Sequence, residues 1–95
     1  MEKTKKKVNC LNLTLYKKWF DLILNGHKKI EFREIKPYYD KIFSKEYNEV
    51  KFVNGYGNNR PWMVVAIDKI LKIDKFYEIH IKNVKSYGNI KCEIS

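Results

Sequence analysis

Cysteine, proline and glycine are scarce in this chain of 95 residues, which has two, two and four of them. Cys10 and Cys92 are too few and too far apart for a metal cluster or a disulfide framework. His27 and His80 add no spacing typical of metal ligands. We therefore expect no metal site and no cofactor.

Long hydrophobic runs are also missing. No segment approaches the roughly 20 apolar residues that a membrane-spanning helix needs, and no apolar stretch of signal-peptide length follows the basic residues 1–7. We expect a cytoplasmic protein without membrane contacts, either a monomer or a weak dimer. Residues 1–7 should form a flexible basic arm, and residues 8–95 a single domain with one modest core.

Acidic residues are outnumbered: 20 Lys and Arg face 11 Asp and Glu, for a net charge of +9. Residues 1–60 hold fourteen basic and seven acidic side chains, and residues 61–95 hold six and four. A polyanion such as RNA or DNA is the natural partner for this asymmetry, although codon bias also produces Lys-rich and Asn-rich chains. At 44% hydrophobic and 15% aromatic residues, the chain can bury a core.

Periodicity predicts a strand-rich domain with two helices. Apolar residues from Tyr16 to Leu24 recur at offsets of three and four, which predicts a helix over 16–25 that Gly26 ends. A short second helix is expected between Tyr39 and Glu46. The run 62–67 is largely apolar and suits a central strand covered on both faces, whereas 55–61 is a dense turn signal. The predicted strands are 8–15, 28–34, 50–54, 62–67, 76–82 and, after a turn at 87–89, 90–94.

The strand that follows the first helix carries charge on alternate residues, so a cation and an anion are held beside each other on a stiff element. Such alternation is common on the solvated face of an edge strand, where it serves solubility. Here Tyr38 and Tyr39 follow with Lys36, and rings interleaved with cations suit stacking on bases and binding of phosphates. One face of the strand carries Lys29, Glu31 and Arg33, and the other Ile30 and Phe32.

The pattern Gly-x-Lys-x-x-Glu-x-Arg, at Gly26, Lys28, Glu31 and Arg33, closely resembles the signature of the ASCH domain, a branch of the PUA-like superfamily. The resemblance covers roughly residues 11–82 and is to the small stand-alone members of bacteria and phages. It implies an α+β, mainly β fold: a mixed PUA-like pseudo-barrel of five to six strands with one or two flanking helices. A cleft should lie between barrel and helices.

The resemblance also implies function, because PUA-like relatives often bind RNA. Arg33 can offer a two-pronged donor face, Lys28 a movable charge, and Glu31 an acceptor for the exocyclic amine of a base. A tyrosine, Tyr38 or Tyr56, could stack on that base. We therefore expect an RNA-binding or nucleotide-binding module with a basic cleft. The residues expected to bind the nucleotide are Lys28, Glu31, Arg33, Lys36, Tyr38, Asn54, Tyr56 and Arg60.

Two other functions stay open. The first is a metal-independent hydrolase acting on RNA or a modified nucleoside, with Lys28 and Glu31 as catalytic residues. The chain is similar to bacterial N4-acetylcytidine amidohydrolases at Lys28, but it has Glu31 where they carry a catalytic Thr, and no counterpart of their later acid at 73–78. Other family members resemble ribonucleases. The second is a protein-binding module that uses exposed aromatic residues. Glu31 and Arg33 could also form a purely structural ion pair.

Overall fold

The computed structural model describes residues 9–90, which form five strands and two helices. The predicted arm at 1–7 lies outside the described residues, as does most of the strand predicted at 90–94. The α+β class, with a mixed sheet of five strands and two flanking helices, is confirmed. The elements in chain order are β1 (Cys10–Leu15), α1 (Lys17–Leu24), β2 (Ile30–Glu34), α2 (Pro37–Ile42), β3 (Glu49–Asn54), β4 (Trp62–Ile73) and β5 (Phe76–Gly88).

The five strands form one half-barrel sheet in the order β1-β3-β4-β5-β2. β1 runs parallel to β3, and the other neighbouring pairs are antiparallel. β1 and β2 are therefore the two edges of the sheet, although they are the first two strands in sequence. The curvature of a half-barrel turns these two edges toward each other, and this arrangement positions the candidate site.

The core lies on one face of the sheet, where α1 packs against alternate residues of the strands. Phe20 and Ile23 of α1 are each 1% exposed, as their helical spacing predicts. β4 is the middle strand of the sheet, as predicted, but only one of its faces is fully buried. The strand residues in this hydrophobic core are Leu11, Leu13, Leu15, Val50, Phe52, Met63, Val65, Ile67, Ile79 and Ile81.

β2 presents its charged residues inward. Glu31 is 6% exposed, whereas Phe32 is 46% exposed and contacts Phe76 edge to face. The predicted alternation is confirmed, but the interpretation of this strand as a solvated charged face is wrong, because Glu31 and the half-buried Arg33 face the gap between the sheet edges.

Three element boundaries differ from the sequence prediction. α2 begins at Pro37, whose fixed φ suits the first helical position, and it ends four residues before the predicted Glu46. β4 and β5 form one long hairpin that turns at Asp74, where φ is +56°. The turn predicted at 87–89 is wrong in part, because Tyr87 and Gly88 still pair with β4. Neither helix within residues 9–90 has the length and hydropathy of a membrane-spanning segment.

Candidate nucleotide-binding cleft

A cleft of about 640 Å³ opens where the two edges of the sheet approach each other. The end of β1 and residues 31–34 of β2 form its two sides. The first turn of α1, the start of α2 and the loop after β3 form its rim. Chain segments that are distant in sequence therefore meet here because the sheet is curved. The lining residues are Thr14, Leu15, Tyr16, Trp19, Glu31, Phe32, Arg33, Glu34, Lys36, Tyr39, Gly55 and Tyr56.

Arg33 is held by three hydrogen bonds to three different elements. Its Nε donates to Glu31 Oε2 over 3.1 Å, its Nη1 to the Tyr39 hydroxyl over 2.9 Å, and its Nη2 to the backbone carbonyl of Thr14 over 2.8 Å. A guanidinium carries five N–H groups, so one on each terminal nitrogen is left for a ligand. The guanidinium also lies over the Tyr39 ring, 5.7 Å from its centroid. Arg33 is thus both a structural bridge and a preorganised donor.

Glu31 places a carboxylate in the cleft with only 8% of its side chain exposed. Burial raises its pKa above the ordinary value of 4.5, even though the neighbouring Arg33 and Lys28 favour the charged form. Oε2 receives the Arg33 bond, whereas Oε1 is 3.8 Å from the Lys28 ammonium, beyond hydrogen-bond distance. Oε1 can therefore accept a hydrogen bond from a ligand.

Lys28 lies behind the cleft rather than in its lining. Its ammonium is 5.0 Å from the centroid of the Trp19 ring and 5.2 Å from that of Phe32, and its side chain is 17% exposed. Two rings and the Glu31 carboxylate thus surround this cation, an arrangement that holds a lysine in place. Lys28 supports the position of Glu31 from this side.

The lining of the cleft is balanced in charge. Arg33 pairs with Glu31, and Lys36 pairs with Glu34 over 3.2 Å. The expectation of a basic cleft is therefore not met by these residues, which contain two cations and two anions. What dominates the rim is aromatic surface: Tyr16 is 82% exposed and Tyr56 is 85% exposed. Exposed rings around a neutral floor suit a flat, uncharged group such as a base better than a phosphate.

The structure brings together four of the residues predicted to bind a nucleotide, namely Glu31, Arg33, Lys36 and Tyr56. Tyr38 is 66% exposed and contacts Tyr39 edge to face, but it does not line the cleft. Lys28 lies outside the lining, and the last two, Asn54 and Arg60, line a second depression on the other side of α1.

Eight lining residues of this cleft are not among those predicted from the sequence, including Thr14, Tyr16, Trp19 and Tyr39. Trp19 belongs to the apolar period that predicts the first helix, but it is 38% exposed and lines the cleft. One sequence feature indicates the exposed aromatic pair: Tyr16 and Trp19 are three residues apart, so they lie beside each other at the edge of the apolar stripe of α1. Thr14 contributes a backbone carbonyl, for which a sequence offers no signal.

The second depression has a volume of about 590 Å³ and a different character. Arg60 donates from Nε to the Asn54 carbonyl over 2.9 Å, and its terminal nitrogens make no hydrogen bond within residues 9–90. Asn89 donates from its side-chain amide to the Arg60 carbonyl over 3.3 Å. The lining residues are Lys17, Phe20, Asp21, Asn54, Asn59, Arg60, Pro61, Asn89 and Ile90.

Comparison of the chain with protein-family models, with curated proteins and with solved structures found no match. The ASCH resemblance thus rests on the motif residues themselves. Among residues 9–90, no group of three or more His, Cys, Asp or Glu side chains is arranged to hold a metal ion.

Proposed function

We propose that this chain is a PUA-like domain of the ASCH type and that the cleft between β1 and β2 binds a nucleotide or single-stranded RNA. The observation that carries the proposal is the pairing of a buried carboxylate, Glu31, with a fixed guanidinium, Arg33, under a rim of exposed aromatic rings. The net charge of +9 supports an anionic partner.

Each part of the cleft has a role in this proposal. The base enters between the rings of Tyr16, Trp19 and Tyr56, and stacking on such rings is worth about 1–3 kcal/mol per base. Glu31 Oε1 then accepts from an exocyclic amine, and the remaining N–H groups of Arg33 donate to a carbonyl oxygen of the base. Because Arg33 is already held by three hydrogen bonds, ordering its side chain on binding costs little entropy.

A binding experiment with matched variants tests this proposal. Fluorescence anisotropy with a labelled single-stranded RNA should show at least a tenfold loss of affinity in Tyr56→Ala and in Glu31→Gln. Tyr87→Ala removes a ring that is 63% exposed outside the cleft and should retain the affinity of the unmodified protein. Affinity should also fall steeply between about 50 and 200 mM salt. Equal affinities of Tyr56→Ala and Tyr87→Ala would place the binding surface elsewhere.

A hydrolase is the second candidate, and one observation favours it. Burial raises the pKa of Glu31, and a carboxyl group with a raised pKa is a stronger proton acceptor than an ordinary one in general acid–base catalysis. Lys28, 3.8 Å away, could stabilise the charge that develops. Intact mass measurement of an RNA carrying N4-acetylcytidine would show loss of acetyl or of nucleotides with the unmodified protein but not with Glu31→Gln. An unchanged RNA mass with the unmodified protein would remove this candidate.

A further inference from the structure

The cleft and the second depression share a rim. Tyr16 lines the cleft, and the next residue, Lys17, lines the depression. At the end of β3, Asn54 lines the depression, and the next residue, Gly55, lines the cleft. Consecutive Cα atoms are about 3.8 Å apart, so the two concavities meet along the start of α1 and along this loop. A ligand that fills the cleft and extends beyond it in this direction reaches the depression.

The two concavities differ in charge. In the cleft both cations are paired with carboxylates. In the depression Lys17 pairs with Asp21 over 2.6 Å, whereas Arg60 has no ion pair within residues 9–90. Its two terminal nitrogens are therefore available as a fork of donors, the geometry that matches a phosphate.

A buried amide also faces the depression. Asn54 is 9% exposed, and its side-chain amide makes no hydrogen bond to any residue in the described range. No fully buried side-chain nitrogen or oxygen lacks a partner in that range, so the Asn54 amide reaches the open space of the depression. Buried amides are normally hydrogen-bonded, and one left open toward a concavity indicates a ligand group there.

The missing side chain of Gly55 leaves room for the Arg60 guanidinium next to Asn54. Gly55 has a φ of +85°, and a Cβ on it would lie 3.1 Å from Arg60 Nη2. Any other residue would press against the guanidinium and would also be strained at this φ. Asn59, with a φ of +59°, lines the same depression.

We propose that the ligand is a strand rather than a free nucleotide: one base occupies the cleft, and the adjoining phosphate and nucleotide occupy the depression against Arg60, Asn54 and Asn59. This inference rests on the proposed function, since it assumes that the cleft takes a base. It goes beyond it by assigning a second, separate binding site and a minimum ligand of two linked nucleotides. The neutral cleft selects the base, and the depression contributes the contact with the backbone phosphate.

Two isosteric variants test the inference. Asn59→Asp introduces a negative charge inside the depression, and Asn58→Asp introduces the same charge one residue away, outside both concavities. Aspartate tolerates the positive φ of position 59, so the fold should be retained. Isothermal titration should use the four nucleosides, which can fill only the cleft, their 5′-monophosphates and a hexaribonucleotide of mixed sequence.

The hexaribonucleotide should bind at least tenfold more tightly than any monophosphate. Asn59→Asp should lower its affinity at least tenfold and leave nucleoside binding in the cleft unchanged, and Asn58→Asp should change neither by more than about twofold. Equal affinity for hexamer and monophosphate, or equal behaviour of the two variants, would overturn the strand inference and leave the cleft as a nucleotide site. Binding of neither ligand would overturn the proposed function itself.

Discussion

Arg33 on β2 donates from Nη2 to the backbone carbonyl oxygen of Thr14 on β1 over 2.8 Å. These residues lie on the two edges of the sheet, which backbone hydrogen bonds do not join. One side chain therefore bridges the half-barrel at its open side, and the same guanidinium forms the floor of the cleft. Closure of the sheet and construction of the site depend on a single residue.

Arg33→Ala should lower the free energy of unfolding by about 3–5 kcal/mol, because it leaves the buried Glu31 without its nearest cation. Arg33→Lys keeps the charge but cannot reach three acceptors at once, so an intermediate loss is expected. Urea denaturation measures both. Arg60→Ala removes an exposed arginine with one hydrogen bond and serves as the control. Equal losses in Arg33→Ala and Arg60→Ala would show that the bridge contributes nothing.

The stability of the fold should depend on pH through Glu31. Burial raises its pKa in the folded state above 4.5, so folding favours the protonated form. The stability associated with that form is complete below pH 4.5 and is lost as the pH rises through the raised value. The melting temperature of the unmodified protein should therefore fall relative to that of Glu31→Gln as the pH rises from 4.5 toward neutrality.

Glu34→Gln provides the control for this pH effect, because Glu34 is an exposed carboxylate on the same strand with a lysine partner. Its melting temperature should follow that of the unmodified protein across the same range. If the unmodified protein instead gains stability over Glu31→Gln with rising pH, attraction by Arg33 and Lys28 outweighs the cost of burial.

The secondary structure could be predicted largely from local pattern, because helix and strand periods are written in consecutive residues. α1, the stop at Gly26 and the alternation in β2 all follow from such patterns. The inward direction of Glu31 does not follow from local pattern, because it depends on residues outside β2. Arg33, which pairs with Glu31, donates to the carbonyl of Thr14 and to the hydroxyl of Tyr39. Edge position and sheet curvature, rather than hydrophobicity, decide which face of β2 turns inward.

The site could be predicted only in part for the same reason. The motif strand identified Glu31 and Arg33, but Asn54 and Arg60 lie across the shared rim, in a depression that no sequence spacing distinguishes from the cleft. Gly88 was interpreted as a turn residue, since glycine is common in turns. Gly88 instead lies within β5, where the Trp62 ring occupies the space that a side chain at this position would fill.

The attachment of α2 to the sheet can be tested at Tyr77. Its hydroxyl donates to Asp40 on α2. The Asp40 carboxylate also accepts a hydrogen bond from the Lys72 ammonium over 3.2 Å. These hydrogen bonds, and chiefly the one from Tyr77, lower the pKa of Asp40 below its ordinary value of 3.8. The stabilising effect of Asp40 is thus present above pH 3.8 and is lost as the pH falls through the lowered value.

Tyr77→Phe should lower the melting temperature at neutral pH and weaken its decline in acid, because the main cause of the Asp40 shift is removed. Tyr87→Phe, which removes an exposed hydroxyl from the same strand, should leave both unchanged. Thermal unfolding followed by circular dichroism at several pH values gives the comparison. If Tyr77→Phe leaves the acid decline of the melting temperature unaltered, other carboxylates cause that decline.

Gly88 provides a purely steric test of the long hairpin. A Cβ at this position would lie 2.6 Å from Cε2 and Cζ2 of the Trp62 indole, which rests on the bare glycine of the paired strand. Gly88→Ala should therefore force the ring away and destabilise the fold by about 1–3 kcal/mol. Ser86→Ala, two residues earlier on β5, should cost less. The double variant Trp62→Ala, Gly88→Ala separates the cause, because removal of the ring should abolish most of the alanine penalty. A penalty that persists without Trp62 would instead indicate that the strand backbone itself requires glycine there.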